Sequence, residues 1–134
     1  LIIDELTYHV NDPERLDVVV FSFPQDKQKY FIKRIIGLPG ETVDIAGTAV
    51  TIINENNPNG LTLSEPYVNE NNFRTTTLKI TLREHEYFVM GDNRSASFDS
   101  RDWGPLDRDL VVGRAFVRLF PVHKVGLFPG RIKE

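Results

Sequence analysis

Two stretches of the sequence carry groups that could move a proton. The first is YFIKRII, residues 30–36, and it contains Lys33. Side chains alternate between the two faces of a β-strand, so Lys33 would share a face with Phe31 and Ile35. Desolvation beside such apolar neighbours favours a neutral amine, and a neutral lysine can act as a general base. Taken alone, the heptapeptide favours the commoner alternative, a solvated lysine whose stem covers apolar surface.

The second stretch is GDNRSASFDSRDWG, residues 91–104, a polar loop between two apolar runs. Its charged residues are Asp92, Arg94, Asp99, Arg101 and Asp102. Pairing among these charges would fix the shape of the loop, and the hydroxyl of Ser97 could then hold a neutral lysine amine. A site that depends on such a contact needs rigid support. The alternative is that the charges satisfy one another at a turn.

Strand-forming segments must position these groups. Runs rich in β-branched and aromatic residues cover 16–23, 27–36, 41–53 as two short strands, 75–82, 86–92 and 110–120. The short polar PQDK between the first two runs predicts a hairpin. No window shows an apolar repeat of helical period, and residues 105–110 alone are compatible with one helical turn. The sequence therefore predicts a mainly β, antiparallel, barrel-like or sandwich-like fold.

The composition of the chain excludes several classes of function. The chain has 134 residues, the size of one domain, with no Cys and a net charge of −3. Disulfides and thiolate chemistry are excluded, and a nucleic-acid partner has no support from a basic patch. The histidines His9, His85 and His123 are isolated, so we expect no metal, and no motif indicates another cofactor. The Asn-rich region 46–76 is less core-like and predicts an inserted, small β-rich subdomain.

Four segments in order resemble the type I signal peptidases, membrane-anchored serine proteases with a Ser/Lys dyad. They are RLDVVVFSFP, YFIKRIIGLPGE, EYFVMGDNRSASFDSRDWG and LVVGRA. The family's second and third stretches run roughly K-R-hydrophobic-x-G-x-P-G-D/E and G-D-N-x-x-x-S-x-D-S-R. The likeness covers nearly the whole chain and is loosest over 46–76. It implies that 1–134 is a catalytic-domain fragment with the antiparallel β-core that signal peptidases share with LexA-type proteins.

The resemblance also implies roles for individual residues. Lys33 matches the family's general base, and Ser97 matches the serine that orients it. Phe31 and Ile32 lie on the strand that borders the substrate in the family. The residues that match supports of this site are Arg34, Asp92, Asn93, Arg94, Asp99, Ser100 and Arg101.

The sequence departs from the family pattern in two places. The nucleophilic serine of the family lies in a Ser-Met-x-Pro-Thr stretch that is absent here, and the chain starts with LIIDELTYHV, which resembles the segment just after it. We therefore expect a fragment that is inactive alone. Leu16 stands where the family usually has Gly, which we expect to be tolerated only at a negative φ.

The implied substrates are secreted preproteins with small residues before the cut, processed at a membrane surface. The implied location is the extracytoplasmic face of the bacterial cytoplasmic membrane. Two alternatives belong to other classes: a LexA-type self-cleaving Ser/Lys protein, and a non-catalytic β-module.

Overall fold

The computed structural model describes residues 2–5, 11–116 and 132–133, and in this part of the chain the strands form two sheets. The strands of the first sheet are β1 (Ile2–Asp4), β2 (Val18–Phe23), β3 (Asp26–Gly37), β8 (Glu86–Met90), β9 (Leu106–Asp107), β10 (Val111–Phe116) and β11 (Ile132–Lys133). The strands of the second sheet are β4 (Thr42–Gly47), β5 (Ala49–Ile53), β6 (Leu61–Thr62) and β7 (Thr76–Thr81). Two single helical turns, α1 (Ser100–Trp103) and a 3-10 turn (Arg108–Leu110), precede β10.

The strand order is β1-β10-β2-β3-β8-β9 in the first sheet and β6-β5-β4-β7 in the second. Neighbouring strands along both orders pair antiparallel, and the short strand β11 pairs with β3 in parallel. The prediction of a mainly β, antiparallel fold is therefore confirmed. Among the described residues, no helix has the length and apolar character needed to cross a membrane.

The hairpin predicted between the first two apolar runs is present as β2 and β3. Its turn contains Pro24 and Gln25, and Val19 lies opposite Lys33 in the register. The fixed φ of proline suits the second position of such a turn. The hairpin thereby places Lys33 in the middle of the first sheet rather than at its rim.

Because side chains alternate between the two faces of β3, they pack in different buried clusters. Phe31 and Ile35 pack in one buried cluster with residues of β2 and β8, whereas Ile32 packs in another with Val18 and Val20. This separation follows the two faces that the sequence pattern predicts.

The second sheet packs against the strands that carry the site. Its inward-facing side chains are Val43, Ile45, Val50 and Ile52. They form one buried cluster with Ile36 of β3 and with Phe88 and Met90 of β8. The predicted subdomain covered 46–76, whereas the sheet runs from Thr42 to Thr81 and so includes the strand predicted at 75–82. Its description as an insertion stays a prediction.

Glu41 organises the Gly/Pro turn between the two sheets. Its carboxylate is 6% exposed and accepts hydrogen bonds from Arg15 at 2.6 and 2.7 Å, from the amide of Leu38 at 2.8 Å and from Asn54 at 2.7 Å. Burial acts to raise the pKa of Glu41, but these donors outweigh it and hold the pKa below its ordinary value. The turn is therefore fixed by a carboxylate that must stay ionised.

The structure corrects the expectation for Leu16, whose φ is +73° rather than negative. This is the left-handed region that favours glycine. The strained residue is held at both ends, because its amide donates to the carbonyl of Ile35 at 2.8 Å and its carbonyl accepts from Arg34 at 3.0 Å. The surrounding hydrogen bonds, rather than a relaxed backbone, keep Leu16 in place.

Other expectations differ in detail. The helical turn predicted in residues 105–110 is the 3-10 turn, but it occupies only Arg108–Leu110 and follows β9. The helix α1 was not predicted. The strand predicted at 110–120 is present as Val111–Phe116, and residues 117–120 lie outside the described residues, as do His9 and His123.

Substitutions at Leu16 measure the backbone strain directly. Both Leu16→Gly and Leu16→Ala remove the leucine side chain, but only glycine relieves the left-handed conformation. We expect Leu16→Gly to be more stable than the matched Leu16→Ala by about 1 kcal/mol in denaturant unfolding. Equal stability of the two variants would show that the positive φ carries no cost.

Candidate active site

The structure brings Lys33 and Ser97 together inside the protein. Lys33 is 1% exposed, Ser97 is 6% exposed, and the Nζ of the lysine donates to the Oγ of the serine at 3.0 Å. The amine also lies 5.8 Å from the centre of the Phe31 ring. The solvated arrangement of Lys33, which the heptapeptide alone favoured, is therefore wrong. A buried amine held by a neutral hydroxyl is an arrangement that can exchange a proton with a group brought beside it.

Close backbone approach at Gly91 makes this contact possible. A Cβ at this position would lie 2.1 Å from the Oγ of Ser97 and 3.4 Å from the Nζ of Lys33. The amide of Gly91 donates to that same Oγ at 3.1 Å and to Asp99 at 3.0 Å. The first glycine of the loop thus leaves the space that Ser97 fills, and its amide fixes Ser97 there.

A buried ion pair between Asp99 and Arg101 fixes the shape of the loop that carries Ser97. Asp99 is 0% exposed and takes two side-chain hydrogen bonds from Arg101, at 2.9 and 2.8 Å. Burial acts to raise the pKa of Asp99, but Arg101, the Gly91 amide and the Ser97 hydroxyl together hold it below its ordinary value. The amide of Gly91 donates to both Ser97 and Asp99, so this ion pair and the acceptor of the Lys33 amine are anchored at the same backbone position.

The helix α1 starts from the same carboxylate. Asp99 is its N-cap, and Asp102 closes a capping box by accepting from the backbone amide of Asp99. The side chain of Ser100 accepts from the amide of Val89 at 3.0 Å, which ties the helix to β8. The spacing of Asp99 and Asp102 was the sequence signal for this helix.

Two arginines join the loop to its surroundings. Arg34, next to Lys33 on β3, makes a two-pronged pair with Asp92 at 2.9 and 2.7 Å. Arg94 is 5% exposed, donates from Nε to the carbonyl of Gly91 at 3.0 Å and pairs with Glu65. The beginning of the Ser97 loop is therefore held by charged hydrogen bonds to β3 and to Glu65.

The remaining predicted residues surround the amine. Asn93 is exposed and accepts a hydrogen bond from Asn72. Ile32, Lys33 and Asn93 line a cavity of about 20 Å³ together with Val18, Arg34, Gly91 and Asp92. A space of that size holds about one water molecule.

An aromatic cluster lies on the face of β3 that carries Phe31. The Phe31 ring stacks on Phe23 at 4.6 Å and meets Phe98 at 6.4 Å. Phe98, next to Ser97 in the loop, is 48% exposed. The site thus lies beside an aromatic surface that reaches solvent.

The contact of Tyr67 with the site was not predicted from the sequence. The ring of Tyr67 packs against Arg34 and Arg94, the two arginines that hold the beginning of the Ser97 loop. Nothing in the local pattern around Tyr67 signals contacts with residues so distant in the chain. Within the described residues, no group of three His, Cys, Asp or Glu side chains is arranged to hold a metal ion.

Comparison with known proteins agrees with this fold. The family described as "Signal peptidase, peptidase S26" matches residues 1–120. A crystal structure of a signal peptidase I from Enterococcus faecalis V583 superposes with a TM-score of 0.65 at 35% identity, covering 80% of this chain and 99% of that one. The arrangement is that of a peptidase fold, and the chain belongs to the signal peptidase family.

The curated relatives are longer than this chain. Signal peptidase I from Leptolyngbya laminosa is 38% identical over an alignment of 135 positions, gaps included, which covers 94% of this chain and 62% of that protein. Probable signal peptidase I-2 from Synechocystis sp. is 41% identical over an alignment of 134 positions, which covers 95% of this chain and 57% of that protein. The chain thus spans 62% and 57% of the lengths of these two relatives.

The contact at Gly91 makes Gly91→Ala a sharp test of the packing. The new Cβ would overlap Ser97, so we expect unfolding free energy to fall by about 1–3 kcal/mol. The loss should be smaller in a Ser97→Gly background, where the overlapped atoms are gone. Equal losses in the two backgrounds, measured by denaturant unfolding, would contradict the close approach.

The lowered pKa of Asp99 predicts a dependence of stability on pH. A carboxylate with a folded pKa below its ordinary value of 3.8 contributes stability above that value, and the contribution is lost as the pH falls through the folded pKa. We expect Asp99→Asn to lower stability at neutral pH by about 3 kcal/mol or more, because Arg101 loses its buried partner. The variant should also lose less stability than wild type as the pH falls from about 5 through the ordinary pKa of the carboxyl group toward the folded pKa of Asp99.

The matched control is Asp26→Asn, which changes an exposed carboxylate on the same sheet. It should keep the wild-type dependence of unfolding free energy on pH. If Asp99→Asn does the same, the ionised state of Asp99 does not support the fold.

Proposed function

We propose that this chain is the base-carrying part of a Ser/Lys-dyad serine endopeptidase that removes signal peptides from secreted preproteins. The observation that carries the proposal is the buried Nζ of Lys33, held at 3.0 Å by Ser97 in a member of the signal peptidase family. Lys33 is the general base, and Ser97 orients it. Burial favours a neutral amine, which is the form that can accept a proton.

In the first half of the reaction, a serine hydroxyl attacks the carbonyl before the scissile bond. Lys33 takes the hydroxyl proton and passes it to the departing amine, so the peptide bond breaks as an ester to the serine forms. Hydrogen-bond donors near the nucleophile stabilise the oxyanion. The cavity of about 20 Å³ lined by Lys33 offers room for a hydroxyl beside the base.

In the second half, water replaces the amine at the same position. Lys33 takes a proton from the water as it attacks the ester, and the proton then returns to the serine oxygen as the acid product leaves. Ser97 and Asp99 remain in place through both halves, because the hydrogen bonds that Gly91 and Arg101 donate to them do not depend on the substrate.

The substrate would lie as an extended strand along β3. β8 pairs with β3 only from Arg34 onward, so the preceding part of β3 can take a further strand on that side, as the parallel pairing of Ile132 and Lys133 with Tyr30 and Phe31 shows. A signal peptide in the same place would gain main-chain hydrogen bonds and would displace that short pairing. Phe31 and Ile32 would then border the small side chains that precede the cut.

Family membership and the aromatic surface support a location at a membrane. The signal peptidases are membrane-associated, and we propose that this domain works on the extracytoplasmic face of the bacterial cytoplasmic membrane. The exposed ring of Phe98 lies beside the stacked rings of Phe23 and Phe31. Aromatic rings suit the boundary between lipid and water, which is where a signal peptide meets its peptidase.

The nucleophile is proposed to belong to a Ser-Met-x-Pro-Thr segment that this sequence does not contain. The 134 residues alone should therefore fold without cleaving peptides. Serine-directed hydrolysis by this chain alone would contradict that assignment.

Restoring such a segment ahead of Leu1 allows the base to be tested on a preprotein substrate. We expect Lys33→Ala and the bulkier Lys33→Met to lower kcat by about 100-fold or more, the usual contribution of a general base. Lys29→Ala is the matched control, because Lys29 is an exposed lysine on the same strand.

Circular dichroism would verify that each variant is folded before cleavage is measured. Normal cleavage by a folded Lys33 variant, or an inert restored wild type, would refute the assignment of Lys33. Cleavage within the chain itself, with no cleavage of preproteins, would instead indicate a LexA-type self-cleaving protein.

A further inference from the structure

A segment of the second-sheet region crosses the loop that carries Ser97. We call residues 65–74 the strap. Asn72 in the strap accepts hydrogen bonds from the amide and hydroxyl of Ser95, and Arg74 donates to the carbonyl of Ser97 at 3.4 Å. Arg74 also pairs with Asp102 at 3.1 Å. The strap is therefore joined to the loop on both sides of Ser97.

The ring of Tyr67 is the part of the strap that reaches both halves of the site. The guanidinium carbon of Arg34 lies 4.2 Å from the ring centre, and that of Arg94 lies 5.9 Å from it. Arg34 follows the base Lys33 on β3, and Arg94 precedes Ser97 in the loop. One aromatic ring thus lies between the strand that carries the base and the loop that orients it.

Hydrogen bonds fix the orientation of this ring. The phenol of Tyr67 donates to the carboxylate of Glu65 at 3.1 Å, and the same carboxylate pairs with Arg94. Burial, with Glu65 adding to it, raises the pKa of Tyr67, so the phenol remains a neutral donor throughout the working pH range. Stacking of a guanidinium on an aromatic face is strongest where water is excluded, and both arginines are largely buried here.

We propose that Tyr67 is a positioning residue, which holds Arg34 and Arg94 so that Ser97 stays aligned with the amine of Lys33. This proposal rests on the proposed function, since it assigns to the second-sheet region the task of maintaining the base. Tyr67 touches neither Lys33 nor Ser97 in these contacts and acts through the two arginines. A purely structural ring would support folding without affecting the state of the Lys33 amine.

The first test needs no catalytic activity. In the 134-residue chain, the ¹⁵N signal of the Lys33 Nζ is compared between wild type, Tyr67→Ala and Tyr67→Phe, with Phe73→Ala as the control. Phe73 is an aromatic residue of the same strap that is 60% exposed. We expect Tyr67→Ala to shift the Lys33 signal, and Tyr67→Phe and Phe73→Ala to leave it near the wild-type position. An unshifted signal in folded Tyr67→Ala would overturn the proposal, whatever the chain catalyses.

The second test uses the protein with its serine segment restored. We expect Tyr67→Ala to lower kcat by about 10- to 100-fold with KM nearly unchanged, the range that misplacement of a catalytic group produces. Tyr67→Phe should retain most of the activity because the stacked ring remains, and Phe73→Ala should match wild type. A loss in Tyr67→Ala that only follows the fraction of unfolded protein would show a structural role and overturn the proposal.

The two tests separate this proposal from the proposed function. If the restored wild type cleaves nothing, the proposed function fails, and the Lys33 signal in the 134-residue chain still decides whether Tyr67 positions the amine. If the wild type cleaves and Tyr67→Ala is fully active, the positioning role fails while the peptidase assignment stands.

Discussion

The buried carboxylate of Asp99 is the constraint on which the site depends. A charge that is 0% exposed has to be paired and hydrogen-bonded, and Asp99 accepts hydrogen bonds from Arg101 and from the amide of Gly91. These two partners lie at the beginning and near the end of one loop, so satisfying the charge fixes the path of the loop. The amide of Gly91 also donates to the hydroxyl oxygen of Ser97, which in turn accepts from the amine of Lys33. The Lys33–Ser97 contact is therefore tied to the same backbone amide that helps to neutralise the buried charge.

Both sheets support the contact between Lys33 and Ser97. The first sheet buries Lys33 opposite Val19 on its neighbouring strand, and this shields the lysine from bulk solvent. The second sheet packs on β3 and β8 and carries the strap over the loop. The site is therefore assembled from segments far apart in the chain, and the strained backbone at Leu16 is tolerated where Arg34 holds it in place.

Much of the fold follows from sequence pattern, because alternation on strands and turn chemistry are local. The β2–β3 hairpin and the faces of β3 are examples. The motif order also indicates which loop meets Lys33, although the roles of the site residues stay predictions. Three features were not predicted. The four-residue helix α1 is too short to show a period, and the spacing of its capping residues Asp99 and Asp102 is its one local signal. The φ of Leu16 is set by hydrogen bonds from other segments, and the stack of Tyr67 on Arg34 joins residues whose separation in the chain carries no periodic signal.

The central claim is that Ser97 serves catalysis by orienting the amine of Lys33. The most direct measurement is the single-turnover rate of preprotein cleavage by Ser97→Ala in the protein with its serine segment restored, beside Ser64→Ala, which removes an exposed hydroxyl. The account predicts a rate about 10- to 100-fold lower for Ser97→Ala, with substrate binding unchanged and Ser64→Ala equal to wild type. An undiminished rate in folded Ser97→Ala would contradict it, because the amine would then be aligned without the hydroxyl that holds it at 3.0 Å.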